Sequence, residues 1–291
     1  MDIIEIYRVF PTHNDCLDHL EKIRWRGTPK CPYCQSNRTT PMPKEKRHHC
    51  NSCNTTFSVT VKTIFHHTHL PLQKWFLAIC LTLNAKKGVA ARQMARHVHV
   101  NKDTAWRINM KIREAMSERE QRELLTGLVE CDETYIGGKP RPGSGPHTRG
   151  RGTKKTPVVA LAEREGNKIR TEVFRNRKRL SGKNLKMLVR KNVDIENSTL
   201  ITDEYRGYIG IQTIMPHKVV DHSVWYVNGD AHTNTVESFW ALLKRGIVGQ
   251  YHKVSIKHLP KYVDEFSYRW NHRKDENLFG STLQRAVEVR A

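Results

Sequence analysis

Leu128-Val129-Glu130-Cys131-Asp132-Glu133-Thr134-Tyr135-Ile136 is the stretch on which the fold turns. It mixes β-branched and aromatic residues with three acids and stops at Gly137-Gly138, so it reads as a strand closed by a turn. Side chains alternate along a strand, which puts Glu130 and Asp132 on one face and Glu133 on the other. Downstream, 157–162 and 168–174 read as two more strands, an antiparallel meander with the first. A helix over 182–193 carries Leu185, Leu188 and Val189, and 198–203 is a fourth strand that ends on Asp203. A helix over 236–245 turns Val236, Phe239 and Leu243 inward with Glu237 in its first turn, and a last helix covers 255–271. This order predicts an α/β domain.

Asp132 on the first strand, Asp203 on the fourth and Glu237 on a covering helix are placed to converge. Hard oxygen ligands suit Mg²⁺ or Mn²⁺, and two such ions clamp the attacking and leaving oxygens of a phosphodiester displacement. Local roles stay open beside that one. Asn234-x-x-Glu237 also matches a capping-box variant. Glu130 either supports the metal ligands or is a strand-edge charge, and His232 either orients DNA, supports the metal shell or makes local hydrogen bonds. Glu204 and Asp230 read as surface charges.

Upstream of the strand, Cys31-Pro-Tyr-Cys34 and Cys50-Asn-Ser-Cys53 form two knuckles separated by fifteen residues. Each aims two thiolates at one tetrahedral ion, and four sulfurs with no open position predict structural Zn²⁺. Cys16, Cys80 and Cys131 fit no such spacing and read as core residues. His66, His67 and His69 read as a linker. Helices are predicted over 72–83, 90–98 and 102–116, the last two joined by His99-Val100-Asn101 with Asn101 as cap. A short helix, a turn and a helix with Thr104, Arg107 and Lys111 on one face is a helix-turn-helix pattern, whose last helix would enter a DNA major groove. The alternative is a small bundle with a solvated charged face.

Lys and Arg number 50 against 29 Asp and Glu, a formal charge of +21 over 291 residues. Such an excess repels itself unless a polyanion relieves it, which points to nucleic acid. The Gly/Pro-rich stretch 137–155, with Arg141, Arg149, Arg151, Lys154 and Lys155, is expected to fold onto DNA beside the acids. No apolar run is long enough for a membrane span, no secretory signal opens the chain, and the cysteine usage predicts a reducing, cytoplasmic setting.

Four segments together carry a resemblance: Cys31-Pro-Tyr-Cys34, Asp132-Glu-Thr-Tyr-Ile-Gly-Gly138, Thr202-Asp-Glu-Tyr-Arg-Gly-Tyr208, and His232-Thr-Asn-Thr-Val-Glu-Ser-Phe-Trp240 followed by Lys244-Arg-Gly246. On these the chain resembles the DDE-type insertion-sequence transposases of bacteria and archaea that carry an N-terminal zinc ribbon. The nearest match is the insertion-sequence family numbered fifteen ninety-five. The resemblance implies a zinc ribbon (1–60), a helix-turn-helix region (61–120) and an RNase H-like mixed-sheet catalytic domain (125–280) that cuts and joins DNA at element ends. Asp132 and Asp203 would be its two aspartates, Glu237 the third ligand for two Mg²⁺ or Mn²⁺ ions, and Lys244 the basic residue of that helix. Asn234 is the alternative third ligand, because some members have Asn there. Joining two ends implies a homo-oligomer on DNA. The competing expectations are a zinc-containing DNA-binding regulator with an inactive nuclease-like domain, and a standalone metal-dependent nuclease.

Overall fold

Two capping boxes start the first two helices. Asp2 and Glu5 bond each other's backbone N–H and open α1 (Ile3–Val9), and Thr12 and Asp15 do the same for α2 (His13–Trp25). The irregular composition of the first sixty residues hides both helices from a periodicity reading, but an acid three residues after Asp2 and after Thr12 was the legible sign. The structure is a computed structural model that describes residues 1–118, 123–138, 155–175, 180–220 and 232–289. The chain forms two compact units, Met1–Ser117 with Asp275–Ala291, and Glu118–Lys274.

In the first unit, β1 (Thr39–Met42), β2 (Arg47–Cys50) and β3 (Thr55–Phe57) make an antiparallel ribbon. A miniature core of Cys31, Cys50 and Phe57, flanked by Trp25 and Val61, holds it. So small a core buries little apolar surface, and ribbons of this size usually need a further tie. Next come α3 (Leu72–Asn84), α4 (Ala91–Val98) and α5 (Lys102–Ala115), within a residue or two of the expected spans. His99 ends α4 in the left-handed region, and Asn101 caps α5 by accepting the Thr104 N–H at 2.7 Å. A C-terminal helix, Leu278–Glu288, which the sequence reading does not include, returns to this unit; Phe279 packs edge-on to Phe76 at 5.9 Å.

The second unit is a mixed α/β fold built on one five-stranded sheet. Its strands are β4 (Leu125–Ile136), β5 (Thr156–Glu163), β6 (Ile169–Val173), β7 (Val193–Thr202) and β8 (His217–Val219). Their order across the sheet is β6-β5-β4-β7-β8; the first three are antiparallel, while β7 lies parallel to β4 and β8 to β7. Every residue of β5 is buried, as its unbroken apolar run Pro157–Ala162 requires when both sheet faces are covered. One face packs on α6 (Gly182–Asn192) through Val129, Cys131, Leu161, Leu185, Val189 and Leu200. The other is covered by α7 (Asn234–Gly246) and α8 (Leu259–Asn271). Among the described residues no helix is long and apolar enough to cross a membrane.

Gly246 closes α7 where its backbone meets the buried ring of Phe266 in α8; a Cβ built there collides with Phe266 Cζ. The Lys244-Arg-Gly triplet thus ends in glycine for reasons of packing. Gly246→Ala is expected to destabilise the protein by about 1–3 kcal/mol through overpacking, measured as a lowered midpoint of thermal unfolding.

Candidate active site and metal centres

Where β7 stops decides the site. Its last residue, Thr202, pairs with Cys131, so from Asp132 onward β4 has β5 on one side and an open edge on the other. Asp203 is the next residue of the chain and stands in that opening. Its Oδ1 accepts the Tyr205 N–H at 3.1 Å, a local turn that fixes the carboxylate. Carboxylate oxygens of Asp132, Glu133 and Asp203 lie within 4.8 Å of one another.

Each acid of β4 is held from its own face of the sheet. Asp132 faces α7: its Oδ2 accepts the Trp240 indole N–H at 2.9 Å, and its Oδ1 accepts the Glu133 N–H at 2.7 Å. Glu133 points to the α6 side, where its Oε2 accepts the hydroxyl of the fully buried Tyr208 at 3.1 Å. That hydroxyl also lies 3.5 Å from Cys131 Sγ. The alternation expected from sequence therefore holds, yet Glu133 still joins the cluster at the edge where, among the described residues, the pairing of β4 with β7 has stopped. Glu133, Trp240, Tyr208 and Arg164 are the residues that the sequence reading passes over. Trp240 was legible, since it lies four residues after Val236 on the same helical face.

Burial first, then the charges of Glu133 and Asp203, push the Asp132 carboxyl up to about 7. Its folded value lies above its unfolded value, so the folded state binds the extra proton between about 4 and 7.

Other expected site residues lie around this group. Glu130 is fully buried on β4 and bonded to Arg164 and to the Val236 N–H. His232 Nδ1 is 3.1 Å from Arg164 Nη2. Glu237 is exposed in the first turn of α7, accepts the Thr233 hydroxyl at 2.9 Å and stands outside the 4.8 Å group. Thr233, not Asn234, is the N-cap of α7, so the Asn234–Glu237 capping box does not form; Asn234 and Lys244 are exposed. On α5 Arg107 is exposed, Thr104 is half-buried, and Lys111 pairs with Glu114 at 3.0 Å. Lys155 is half-buried just before β5. Arg141, Arg149, Arg151, Lys154 and Asp230 lie outside the described residues.

A second centre is formed by Cys31, Cys34, Cys50 and Cys53, with Sγ atoms all within 4.8 Å of one another, Cys31–Cys53 at 3.7 Å and Cys34–Cys50 at 3.5 Å. All four are free thiols. A tetrahedron with Zn–S bonds of about 2.3 Å has edges of about 3.8 Å, so this donor set fits zinc. At the acids, oxygens around one six-coordinate Mg²⁺ stand about 3–4 Å apart, which the carboxylate cluster also fits. His66, His67 and His69 join no such group among the described residues.

Compared with known proteins, residues 124–271 match the family model of the ISXO2-like transposase domain, and residues 11–56 match that of the transposase zinc-ribbon domain. The chain is 29% identical over 279 residues to an uncharacterized protein in transposable element ISH50 of Halobacterium salinarum, covering 90% of this chain and 92% of that protein. Among solved structures it is similar to the catalytic core domain of BIV integrase (TM-score 0.32, 10% identity, 52% of this chain and 85% of the other). It is also similar to a pre-cleavage Mos1 transpososome (TM-score 0.30, 12% identity, 68% of this chain and 74% of the other).

In metal-free buffer, stability is expected to fall as pH rises from about 4 to 7, by on the order of 3 kcal/mol from Asp132 alone. Asp132→Asn removes most of that slope, and thermal unfolding from pH 4 to 8 with chelator present measures both.

Proposed function

The chain belongs to the ISXO2-like transposase family, and from that premise we propose that Asp132, Asp203 and Glu237 hold the divalent cations with which it cuts and joins DNA at the ends of an insertion sequence. The observation that carries this reading is the crowding of the Asp132, Glu133 and Asp203 carboxylates within 4.8 Å, beside the helix that bears Glu237, in a chain of formal charge +21. Hard carboxylate oxygens gathered in this way are the donor set that Mg²⁺ or Mn²⁺ takes.

Asp132 and Asp203 supply the fixed oxygens. Trp240 and the Glu133 N–H orient Asp132, and Tyr205 N–H orients Asp203, so neither carboxylate has to reorganise. Glu237 completes the set from α7, with Asn234 as its alternative in the same turn, and Glu133 adds negative charge from the opposite face. When bound, Mg²⁺ or Mn²⁺ supplies acidity to the attacking hydroxyl and stabilises the leaving oxyanion. Lys244, two turns beyond Glu237, faces solvent, where a phosphate backbone would lie. In the ribbon the four thiolates hold structural Zn²⁺, which replaces the apolar core the ribbon lacks.

The division into zinc ribbon (1–60), helix-turn-helix region (61–120) and catalytic domain (125–280) is one of function. The exposed first half of α5, with Arg107 and Thr104, reads element ends; Lys111, Lys155 and the basic residues Arg141, Arg149, Arg151 and Lys154 hold phosphate. Two ends brought together make a homo-oligomer on DNA, at work in the cytoplasm at the nucleoid. A DNA-binding regulator would have no use for the acid cluster, and a standalone nuclease would cut without joining.

The test uses duplex DNA carrying the element's own ends, with Mg²⁺ or Mn²⁺. Asp132→Ala and Asp203→Ala are expected to lower cleavage and strand transfer by roughly a thousandfold while end binding stays within a few-fold. A parent chain that binds ends and never cleaves them selects the regulator, and cleavage without joining selects the nuclease. Glu237→Ala is expected to match the aspartate variants; parent-like cleavage moves the third ligand to Asn234 or Glu133. Removal of one zinc per chain by a chelator should abolish end binding before it unfolds the catalytic domain, read by metal release and by gel shift.

A further inference from the structure

A buried charge two residues before Asp132 has no place in the chemistry above. Glu130 is 0% exposed and both of its oxygens are used. Oε1 accepts from Arg164 Nε at 2.7 Å, and Oε2 accepts the backbone N–H of Val236 at 2.9 Å, in the first turn of α7. Arg164 goes further: its Nη2 donates to the His232 carbonyl at 2.6 Å, and its own N–H donates to the Leu128 carbonyl at 3.1 Å. One ion pair thus ties β4, the turn after β5 and the chain entering α7.

We propose that Glu130 and Arg164 are positioning residues that set the register of α7 along β4, and so fix where Glu237 and Asn234 stand relative to Asp132 and Asp203. The inference rests on the reading of those acids as cation ligands. Three observations support it. α7 has no side-chain cap from its own sequence, so the carboxylate of Glu130 serves as its cap from across the sheet. Trp240 provides a second attachment, to Asp132. The two attachments are commensurate: four helical residues from Val236 to Trp240 rise about 6 Å, and two strand residues from Glu130 to Asp132 rise about 6.7 Å. The helix therefore runs alongside the strand with a point of contact at each end of the step.

The choice of a charged pair follows from geometry. Val236, Phe239 and Leu243 form an apolar stripe, and such a stripe holds a helix to a sheet without saying where along its axis it sits. A shift of one turn, about 5.4 Å, would bring another set of apolar residues into the same groove. Only the first turn of a helix has unbonded N–H groups, so a carboxylate that needs them accepts a single axial position.

The full-length chain carrying Glu130→Gln or Arg164→Lys tests this. Gln has one acceptor where two are used, and Lys keeps the charge opposite Glu130 but cannot reach the His232 carbonyl as well. Hydrogen exchange should show the first turn of α7 protected in the parent and open in both variants, while β4 and β5 stay protected. Mn²⁺ titration should show roughly tenfold weaker binding, and cleavage of end DNA should fall with the affinity for that DNA unchanged. Parent-like Mn²⁺ binding in variants whose first turn has opened would overturn the proposal, as would a first turn that stays protected in both. Should Glu130→Gln fail to fold, Arg164→Lys alone decides by the same measurements. If instead the parent itself neither binds Mn²⁺ nor cleaves, the cation-site reading fails, and the silence of the parent tells that case apart.

Discussion

The close approach of three carboxylates where β7 stops is the constraint around which the candidate site of the second unit is built. β7 ends one pair short of Asp132, and the gap admits Asp203 from the chain and Glu133 from the far face of the sheet. Burial first, and then the charges of Glu133 and Asp203, raise the proton affinity of Asp132 to near neutrality. Much of the surrounding structure counters that tendency. Trp240, Tyr208 and the backbone N–H groups of Glu133 and Tyr205 each donate to one of the acids. The acids are thereby fixed in place by donors from α7, from the α6 side of the sheet and from the backbone.

The ribbon of the first unit answers a different shortage. Its core is three buried residues and two flanking ones, too little to hold three short strands. Four thiols brought to tetrahedral spacing supply the missing cohesion by coordination. In the one unit a cation would offset too little apolar surface, and in the other too much negative charge.

Much of this was readable in the residues. The meander, the helix after it, the fourth strand and the helix bearing Glu237 follow from β-rich apolar runs and helical period, as in the wholly buried β5 and the Val236, Phe239 and Leu243 stripe of α7. The cysteine spacing gives the ribbon directly. What escaped was of two kinds. Helices α1 and α2, the three-residue β8 and the C-terminal helix are short or weakly patterned, and β8 exists only because β7 offers it an edge. The membership of the acid cluster escaped for another reason. Alternation assigns Glu133 to the wrong face for a shared site, and only the point at which a neighbouring strand stops shows that both faces open onto one space. Glu237 is the reverse case, with the right helix and the right turn but a carboxylate turned to Thr233.

Both attachments of α7 are made to β4, and neither is made to the strand that delivers Asp203. The chain just before the helix is held by the same Glu130–Arg164 pair, since Arg164 also donates to the His232 carbonyl. The two-residue step from Glu130 to Asp132 is thus the spacing that one turn of the helix has to match.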